Sequence, residues 1–429
     1  MKSTRVLAAS IAALALVAAA CGGSGSSAAP GGGSGAPAGV KTLKVGFTAS
    51  NTGTQQLPSQ KQVEGIELWA EDVTKAGGIR LKDGTVLMPE LVSYDDESKA
   101  DRVQSLYTKL INDDGVDVLL SPYSSGLVKA AAVVSEQNDT VMVTAGGADD
   151  ATMEQGFTSV YQVYTPASKY LTGAIDLMLA QDPTIKRIAI VNEKDAFSTA
   201  VVNAAKPYAE SKGLEVVLAE GYDSGTTDFS PFIEKIRAAA PEAIIGGGHF
   251  QDGQTFAKQL AEKQVPARFV ALLVAPPEPT FAQIGDAAIG IVGPSQWEPS
   301  VKFSDQTAAA SGVPYFGPSV DAFTQAYTAK FGSAPSYHSA GGYAAGLILQ
   351  KAIEEAGSTD PAAIRKALDA MDLETFFGRV RFSADAKSHG KQAAHEMVYI
   401  QWQKGADGKL ATVVVWPPAA KSADVQPRP

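Results

Sequence analysis

The sequence predicts an α/β fold with two lobes, each built on a doubly wound parallel sheet. From Thr42 onward, eight short runs rich in β-branched residues alternate with amphipathic segments. Several runs are almost wholly apolar, which is typical of parallel strands covered on both faces, and this alternation indicates a doubly wound sheet. Eight strands are too many for one tidy sheet, and the pattern restarts after the crossover-like segment 158–165, TSVYQVYT. We therefore expect two lobes with a cleft between them.

The predicted elements follow in order along the chain. Strands are expected at residues 43–48, 90–94, 116–121, 140–145, 187–192, 214–219, 243–248 and 269–274, and helices at 62–75, 101–113, 126–137, 168–180, 198–212, 229–239 and 253–263. The spacing of Val103, Leu106 and Leu110 is helical. A strand at 287–293 and an irregular stretch at 297–317 precede helices at 319–331, 339–356 and 361–371, short β segments at 379–382, 396–403 and 410–416, and a disordered tail at 417–429.

The first 20 residues predict a secretory signal peptide. Lys2 and Arg5 give a basic start, and residues 6–20 are apolar or small except for Ser10. The only cysteine, Cys21, directly follows three alanines and resembles the acylated cysteine of a bacterial lipobox. A lipid on Cys21 with a Gly/Ser-rich leash at 21–41 would anchor the protein to the outer side of the cell membrane. The alternative is an ordinary signal peptide with an incidental cysteine.

Composition narrows the class of function. The formal charge is −10 and no basic tract is present, which argues against nucleic acid as a partner. The four histidines show no metal-ligand spacing, and no cysteine remains to join them. The catalytic patterns G-x-S-x-G and H-E-x-x-H are absent from the sequence. We therefore expect no metal, no cofactor and no enzymatic chemistry.

Ligands of open α/β sheets bind outside the carboxyl ends of the strands, so the candidate site residues lie in the loops after strands. Ser124 and Ser125 begin a helix, where they can cap it and where its N–H groups also attract an anion. Gly146 and Gly147, followed by Ala148, allow close approach of the backbone to a ligand, or they form a simple turn. The candidates are Ser124, Ser125, Gly146, Gly147, Ala148, Phe197, His249 and Asp252, with Tyr123, Trp297 and Tyr337 as further ones.

Four of the other candidates have a plainer alternative. Phe197 is either an aromatic wall of the cleft or a core residue. Asp252 is either a helix cap or the partner of a cationic ammonium group. Core or hinge packing is at least as good an explanation for Trp297 and Tyr337.

The ordered motifs from Thr42 to Trp416 resemble the branched-chain-amino-acid-type substrate-binding proteins of ABC transporters. These motifs are Val45-Gly46, Gly65–Trp69, Tyr94–Ser98, Ser121–Gly126, Asp228–Ser230 and Gly247-Gly248 before Asp252. The resemblance implies a type I periplasmic-binding fold whose lobes are joined by three hinge crossings. We expect residues 42–163 and 292–376 in the first lobe, and 164–291 and 377–416 in the second.

The resemblance also implies roles for the candidate residues. Ser124 and Ser125 would hold a ligand carboxylate, the loop from Gly146 to Ala148 would add contacts, and Asp252 would pair with an ammonium group. Departures from the family pattern leave the ligand open between an amino acid, an amide and a carboxylic acid. Ala148 stands where a Thr is usual, Phe197 replaces a Tyr, and Asp252 is shorter than the common Glu.

The implied function is capture of a small solute and its delivery to an ABC permease. A ligand sensor on the same fold is one alternative. An exported hydrolase is another, and it would require His249 to act as the base for Ser124.

Overall fold

The computed structural model describes residues 39–428 and has the α/β architecture that the sequence predicts. The predicted signal peptide and Cys21 lie outside the described residues. The predicted leash is too long, because Val40 and Lys41 already belong to the first strand. Within residues 39–428, no helix combines the length and the apolar character that a membrane crossing requires.

The first sheet has six strands in the order β2-β3-β1-β4-β5-β6. The strands are β1 (Val40–Ala49), β2 (Ile79–Arg80), β3 (Val86–Asp95), β4 (Val118–Leu120), β5 (Met142–Thr144) and β6 (Val160–Gln162). All neighbours pair in parallel except β2 with β3. The segment predicted as a crossover at 158–165 therefore contains the last strand of this sheet.

The second sheet has seven strands in the order β15-β14-β11-β10-β9-β7-β8. They are β7 (Arg187–Glu193), β8 (Glu215–Tyr222), β9 (Ala243–Gly247), β10 (Phe269–Leu272), β11 (Ile291–Ser295), β14 (Val398–Lys404) and β15 (Leu410–Trp416). The last two strands run antiparallel and extend the parallel part of the sheet at its edge. A separate hairpin pairs β12 (Asp372–Thr375) with β13 (Gly378–Arg381).

Helices connect and cover the strands of both lobes. They are α1 (Gln56–Lys75), α2 (Ala100–Asn112), α3 (Ser125–Gln137), α4 (Asp150–Met153), α5 (Tyr170–Gln181), α6 (Ala196–Ser211), α7 (Ser230–Ala239), α8 (Phe250–Glu262), α9 (Asp305–Ala310), α10 (Val320–Phe331), α11 (Tyr337–Ala356) and α12 (Pro361–Asp369). Two 3₁₀ segments, Ala167–Lys169 and Pro279–Ala288, complete the connections. The stretch predicted as irregular at 297–317 thus contains α9.

Helices α1 and α11 cross in direct backbone contact. A Cβ on Gly65 would lie 2.0 Å from the Ser339 carbonyl oxygen, and one on Gly342 would lie 2.0 Å from the Gln62 carbonyl oxygen. Only glycine at both positions allows this approach, because a methyl group there would push the helices apart. The contact holds the late helix α11 against the first sheet and brings its N-terminus to the cleft.

Three chain segments cross between the lobes, and hydrogen bonds join them to one another. Gln296 accepts from the Thr165 N–H at 2.9 Å and donates to the Thr165 carbonyl oxygen at 3.1 Å. The Thr165 hydroxyl and His395 Nδ1 are 2.7 Å apart. One residue from each crossing therefore contributes to a buried cluster at the hinge.

Three predicted boundaries need correction. The division at 376/377 falls inside the hairpin of β12 and β13, and Gln392 still donates to the Val163 carbonyl oxygen of the first lobe at 3.1 Å, so the third crossing lies near His395. The division at 291/292 falls inside β11, so this part of the second lobe extends to Ser295. The tail from 417 is ordered through Arg428. Gln401 exchanges hydrogen bonds with the Gln426 backbone at 2.9 and 2.8 Å, and Gln403 donates to the Asp424 carbonyl oxygen. Composition alone predicted a disordered tail, but these contacts with residues distant in the sequence bind its backbone to the second sheet.

Replacing Gln296 with Ala should destabilise the protein by about 2–3 kcal/mol, because it leaves buried Thr165 backbone groups without partners. Urea unfolding of the Q296A protein should show a lower midpoint with an unchanged slope. The matched control is Q283A, which removes an exposed glutamine of the second lobe. Equal midpoints for Q296A and the parent protein would contradict a structural role for the hinge cluster.

Candidate functional site

The carboxyl ends of strands from both sheets face one small buried cavity, called here the aromatic cavity. The loops after β4 and β5 supply its first-lobe wall, and those after β7, β9 and β10 supply its second-lobe wall. Its lining is Tyr123, Ser124, Ser125, Gly146, Ala148, Tyr164, Tyr170, Phe197, His249, Val274 and Tyr337. The space measures about 10 Å³, which is about the room for one water molecule. A larger ligand therefore enters only when the lobes separate.

Ser124 and Ser125 have different roles at the first-lobe wall. Neither side chain caps α3, which corrects the prediction of a serine cap. Ser125 Oγ instead accepts from the N–H groups of Ala148 and Asp149 at 3.0 and 3.2 Å, and so ties two binding loops together. The N-terminus of α3 thus reaches the cavity beside the Ser124 hydroxyl with its positive dipole end unneutralised by a side-chain cap.

The glycine pair after β5 also divides its roles. A Cβ on Gly146 would lie 1.8 Å from the Pro122 carbonyl oxygen, so only glycine lets the two loops meet. Gly147 does not line the cavity. It packs against Val128 of α3, where an added Cβ would be 2.9 Å from that side chain. The prediction of Gly147 as a contact residue is corrected to a packing role.

His249 joins the two lobes across the cleft. Its Nδ1 is 2.9 Å from the hydroxyl of Tyr123 in the first lobe, and its Nε2 is 3.0 Å from Asp195 Oδ2. Asp195 also accepts from the N–H groups of Phe197 and Ser198, which caps α6. A continuous hydrogen-bonded chain therefore runs from the first lobe, through the imidazole, to a helix of the second.

The environment of this chain sets its charge. Burial lowers the pKa of His249, but the charge and hydrogen bond of Asp195, together with the charges of Glu193 and Asp252, outweigh burial and raise that pKa to about 9. Burial raises the pKa of Asp195, yet the His249 charge and the bonds from His249 and Ser198 hold it at about 2. At neutral pH the pair is an imidazolium with a carboxylate. Both ring nitrogens of His249 then donate, one to Tyr123 and the other to Asp195.

Asp252 lies in a second, neighbouring cavity of about 70 Å³, called here the acidic cavity. Gln55, Glu193 and His249 also line it, and His249 separates it from the aromatic cavity. Asp252 accepts hydrogen bonds from the backbone N–H of His249 at 2.8 Å and from the Tyr222 hydroxyl. Burial and the nearby Glu193 raise the pKa of Asp252 to about 6. The residue both caps α8 and faces a cavity.

Of three aromatic candidates, Phe197 and Tyr337 line the cavity, and Trp297 lies in the core. Phe197 lies in the cavity wall, with its ring centroid 5.1 Å from that of Tyr170, and Tyr337 lies in the opposite wall. Trp297 is a core residue with no exposed surface. Its indole N–H donates to the Phe376 carbonyl oxygen at 2.9 Å, and its ring packs against Phe323. Trp297 therefore packs in the core and not in the cleft, which corrects the prediction of a cleft residue.

Three lining residues were missed from the sequence, namely Tyr164, Tyr170 and Val274. Tyr164 and Tyr170 flank the first crossing. Because a crossing lies next to the cleft, aromatic residues beside it could have been predicted as lining residues. Val274 follows β10 and has a φ of 54°, a strained value for a β-branched residue. Such strain often occurs at functional sites, but no pattern in the sequence predicts it.

Buried acids lie at the interface below the aromatic cavity. His338 Nδ1 in α11 is hydrogen-bonded to Glu278 of the second lobe, and both side chains have 0% exposure. The His338 ring lies 4.9 Å from the Tyr123 ring. Nearby Glu298 is also buried, and burial, with a smaller effect from Glu278, raises its pKa to about 8. Glu298 is therefore mostly protonated at neutral pH.

Two α/β lobes joined by three crossings, with strand ends facing a closed cavity, are typical of proteins that bind a small molecule by hinge closure. The chain belongs to the periplasmic binding protein family, whose model matches residues 42–409. This confirms the family resemblance of the motifs and the predicted fold class.

Relatives and solved structures are similar along most of the chain. A Leu/Ile/Val-binding protein homolog 7 of Brucella melitensis is 23% identical over 400 residues, covering 91% of this chain and 96% of the relative. The isoleucine complex of the branched-chain amino acid transporter substrate-binding protein LivJ of Streptococcus pneumoniae has a TM-score of 0.72 at 20% identity, with 88% and 100% coverage. An ABC transporter solute-binding protein of Rhodopseudomonas palustris in complex with 3,4-dihydroxybenzoic acid has a TM-score of 0.73 at 21% identity, with 90% and 99% coverage. These structures share the fold.

Replacing Glu298 with Gln should flatten the dependence of stability on pH. The folded pKa of about 8 lies above the ordinary glutamate pKa of 4.5, so the folded state holds a proton that the unfolded chain releases. The stability of the parent protein therefore falls as pH rises through this window. E298Q should be more stable than the parent by about 2–4 kcal/mol at pH 8 and similar at pH 4.

Urea unfolding between pH 4 and pH 8.5 measures this difference. The control is E396Q, which replaces an exposed glutamate on the third crossing and should follow the parent curve. Parallel pH profiles for E298Q and the parent would contradict a protonated Glu298.

Proposed function

We propose that the protein captures a small carboxylate of the amino-acid class between its lobes and delivers it to an ABC permease. The observation that carries this proposal is the unequal polarity of the two walls. The first lobe presents the N-terminus of α3 without a side-chain cap, beside the Ser124 hydroxyl. The helices opposite, α6 and α8, have Asp195 and Asp252 in contact with their N-terminal N–H groups.

The carboxylate of the solute would bind at the first lobe. Free N–H groups and the dipole of a helix N-terminus favour an anion, and Ser124 adds a hydroxyl donor. Ser125 supports this contact indirectly, because it holds the Ala148 loop in position. Ala148 offers no hydroxyl, so we expect fewer side-chain contacts to the carboxylate than a threonine would allow.

The ammonium group of the solute would reach Asp252 in the acidic cavity. His249 borders both cavities, so a zwitterion can extend past its ring from one cavity to the other. The aromatic rings of Phe197, Tyr170 and Tyr337 suit an apolar or aromatic side chain. Relatives are named for Leu, Ile and Val, and one solved neighbour holds a dihydroxybenzoic acid, so both kinds of side chain belong in a test.

Capture would proceed by hinge closure. The Tyr123–His249 hydrogen bond closes the cavity to about 10 Å³, so an entering solute must displace this direct contact between the lobes. Contacts of the solute with both lobes would then favour closure, since a ligand shifts an equilibrium only through its difference in affinity for the two states. The closed form would dock on the permease, which opens it.

Capture without chemistry fits the pairing of His249. A hydrolase would need His249 as the base for Ser124, but its nitrogens bond to Tyr123 and Asp195. A base must reach the proton that it removes. We therefore favour a binding protein over an exported enzyme.

Titration of the purified protein with amino acids, their amides and small aromatic or aliphatic acids tests the proposal. An amino acid should raise the thermal midpoint, with about 2.7 kcal/mol of stabilisation at one hundred times its dissociation constant. S124A should weaken every carboxylate about 10- to 100-fold, because a charge-assisted hydrogen bond is lost. D252N should weaken only solutes that carry an amine.

The matched control for these variants is E210Q, an exposed glutamate of α6 that should bind like the parent. A shift only with acids that lack an amine would keep solute capture but overturn the role of Asp252. No stabilisation by any of these solutes would contradict the proposed ligand class.

We further propose that Cys21 carries a lipid that anchors the protein outside the cell membrane. Dual acyl chains are sufficient for stable anchoring. In the native host, the parent protein should therefore fractionate with membranes and enter a detergent phase, whereas C21S should remain in the aqueous phase. An aqueous parent protein would leave an ordinary signal peptide as the explanation.

A further inference from the structure

The second lobe carries a cluster of metal-ligand atoms to which the proposed solute capture assigns no ligand contact, although His249 and Glu193 line the acidic cavity. Glu193 ends β7, Asp195 precedes α6, and His249 follows β9, the strand that pairs with β7. One oxygen of each carboxylate and one nitrogen of His249 lie within 4.8 Å of one another. Adjacent strand ends therefore bring together three side chains that are separated in the sequence.

Glu193 gives an independent sign that this cluster accepts a cation. Its side chain is only 3% exposed, and its Oε2 has no hydrogen-bond partner within residues 39–428. The oxygen points at Gly248, where an added Cβ would lie 2.3 Å from it and 2.6 Å from Asp252 Oδ2. Buried Gln55 Oε1, in the wall of the same cavity, also lacks a partner. Unpaired buried acceptors are costly, and a cation would satisfy them.

We propose that Glu193, Asp195 and His249 form a binding site for a divalent transition metal of the zinc type. Zinc binds imidazole nitrogen and carboxylate oxygen at about 2.0–2.2 Å, which places neighbouring tetrahedral ligand atoms about 3.3 Å apart. His249 Nε2 and Asp195 Oδ2 are already 3.0 Å apart. An ion that replaces the proton between them needs only a small widening of this pair and a modest inward shift of Glu193.

The surroundings of the three ligands suit a metal site. A ligating histidine usually donates its other ring N–H to an oxygen, and here Nδ1 faces the Tyr123 hydroxyl at 2.9 Å. Asp195 is oriented by the N–H groups of Phe197 and Ser198. The acidic cavity beside Glu193 and His249 leaves room for a fourth ligand such as water.

Zinc titration of the purified, chelator-treated protein in the absence of any solute tests the site. We expect one ion per chain, and at least tenfold weaker binding for H249Q and E193Q. Cobalt should give the intense visible absorption of a four-coordinate site in the parent protein. This spectrum requires no variant, so it remains informative where a substitution impairs folding.

The matched control is H389Q, because His389 and Asp369 form another histidine–carboxylate pair, with 2.8 Å between Nε2 and Oδ1 and an exposed carboxylate. This variant should bind zinc like the parent. The proposal is overturned if zinc at 1 mM does not bind, if H389Q removes the binding, or if H249Q and E193Q both bind as the parent does. The measurement is made without solute, so failure of the proposed solute capture does not affect it.

Discussion

The hydrogen bond between Tyr123 and His249 is the contact on which the geometry of the cleft depends. It joins the lobes where both sets of strand ends meet, and Asp195 behind the imidazole keeps the ring charged and oriented. A protonated ring must donate from both nitrogens, so it holds Tyr123 and Asp195 at the same time. A solute that displaces this hydrogen bond must interact with the two lobes at least as favourably as Tyr123 and His249 interact with each other. If the proposed solute binds here, this bond would set a threshold for closure, which a molecule in contact with only one lobe would not reach.

The hinge uses a second buried histidine in the opposite protonation state. Burial lowers the pKa of His395 to about 4, so this ring is neutral at physiological pH. Its partners are a hydroxyl and the Phe377 carbonyl oxygen, where His249 has a carboxylate. A neutral cluster at the crossings can change its hydrogen-bond angles without moving a buried charge, which would be expensive in a low-dielectric interior. The charged pair His249–Asp195 therefore lies beside the cavities between the lobes, whereas the hydrogen bonds among Thr165, Gln296 and His395 at the hinge join neutral groups.

The sequence was sufficient for the fold and for most of the loops around the cavity. Apolar runs that alternate with amphipathic segments report parallel strands directly, and the rule on strand ends locates Ser124, Phe197 and His249. The rule on strand ends does not cover the segments that cross between the lobes, so it did not predict Tyr164 and Tyr170. Trp297 and Tyr337 had the same signature, an aromatic residue in an irregular region, and only the packing of Phe323 and Phe376 around the indole separates them. The ordered tail depends on Gln401 and Gln403, which are remote in sequence, so its composition alone suggested disorder.

The acidic end of the cleft is held in an unfavourable state by its own fold. Glu193 and Asp252 converge on Gly248, and the pKa of Asp252 is raised by burial and by this neighbour. A cation placed between these groups is attracted by each carboxylate and also reduces the repulsion between them, so the arrangement of the two acids favours cation binding. This applies to an ammonium group and to a metal ion alike. They differ in reach, because an N–H donor holds oxygen at about 2.8 Å whereas zinc holds it at about 2.0–2.2 Å. The short Asp195–His249 separation favours the metal, and the wider cavity beside Asp252 favours the amine. Since the two proposed positions share His249, we expect occupation of one to weaken binding at the other.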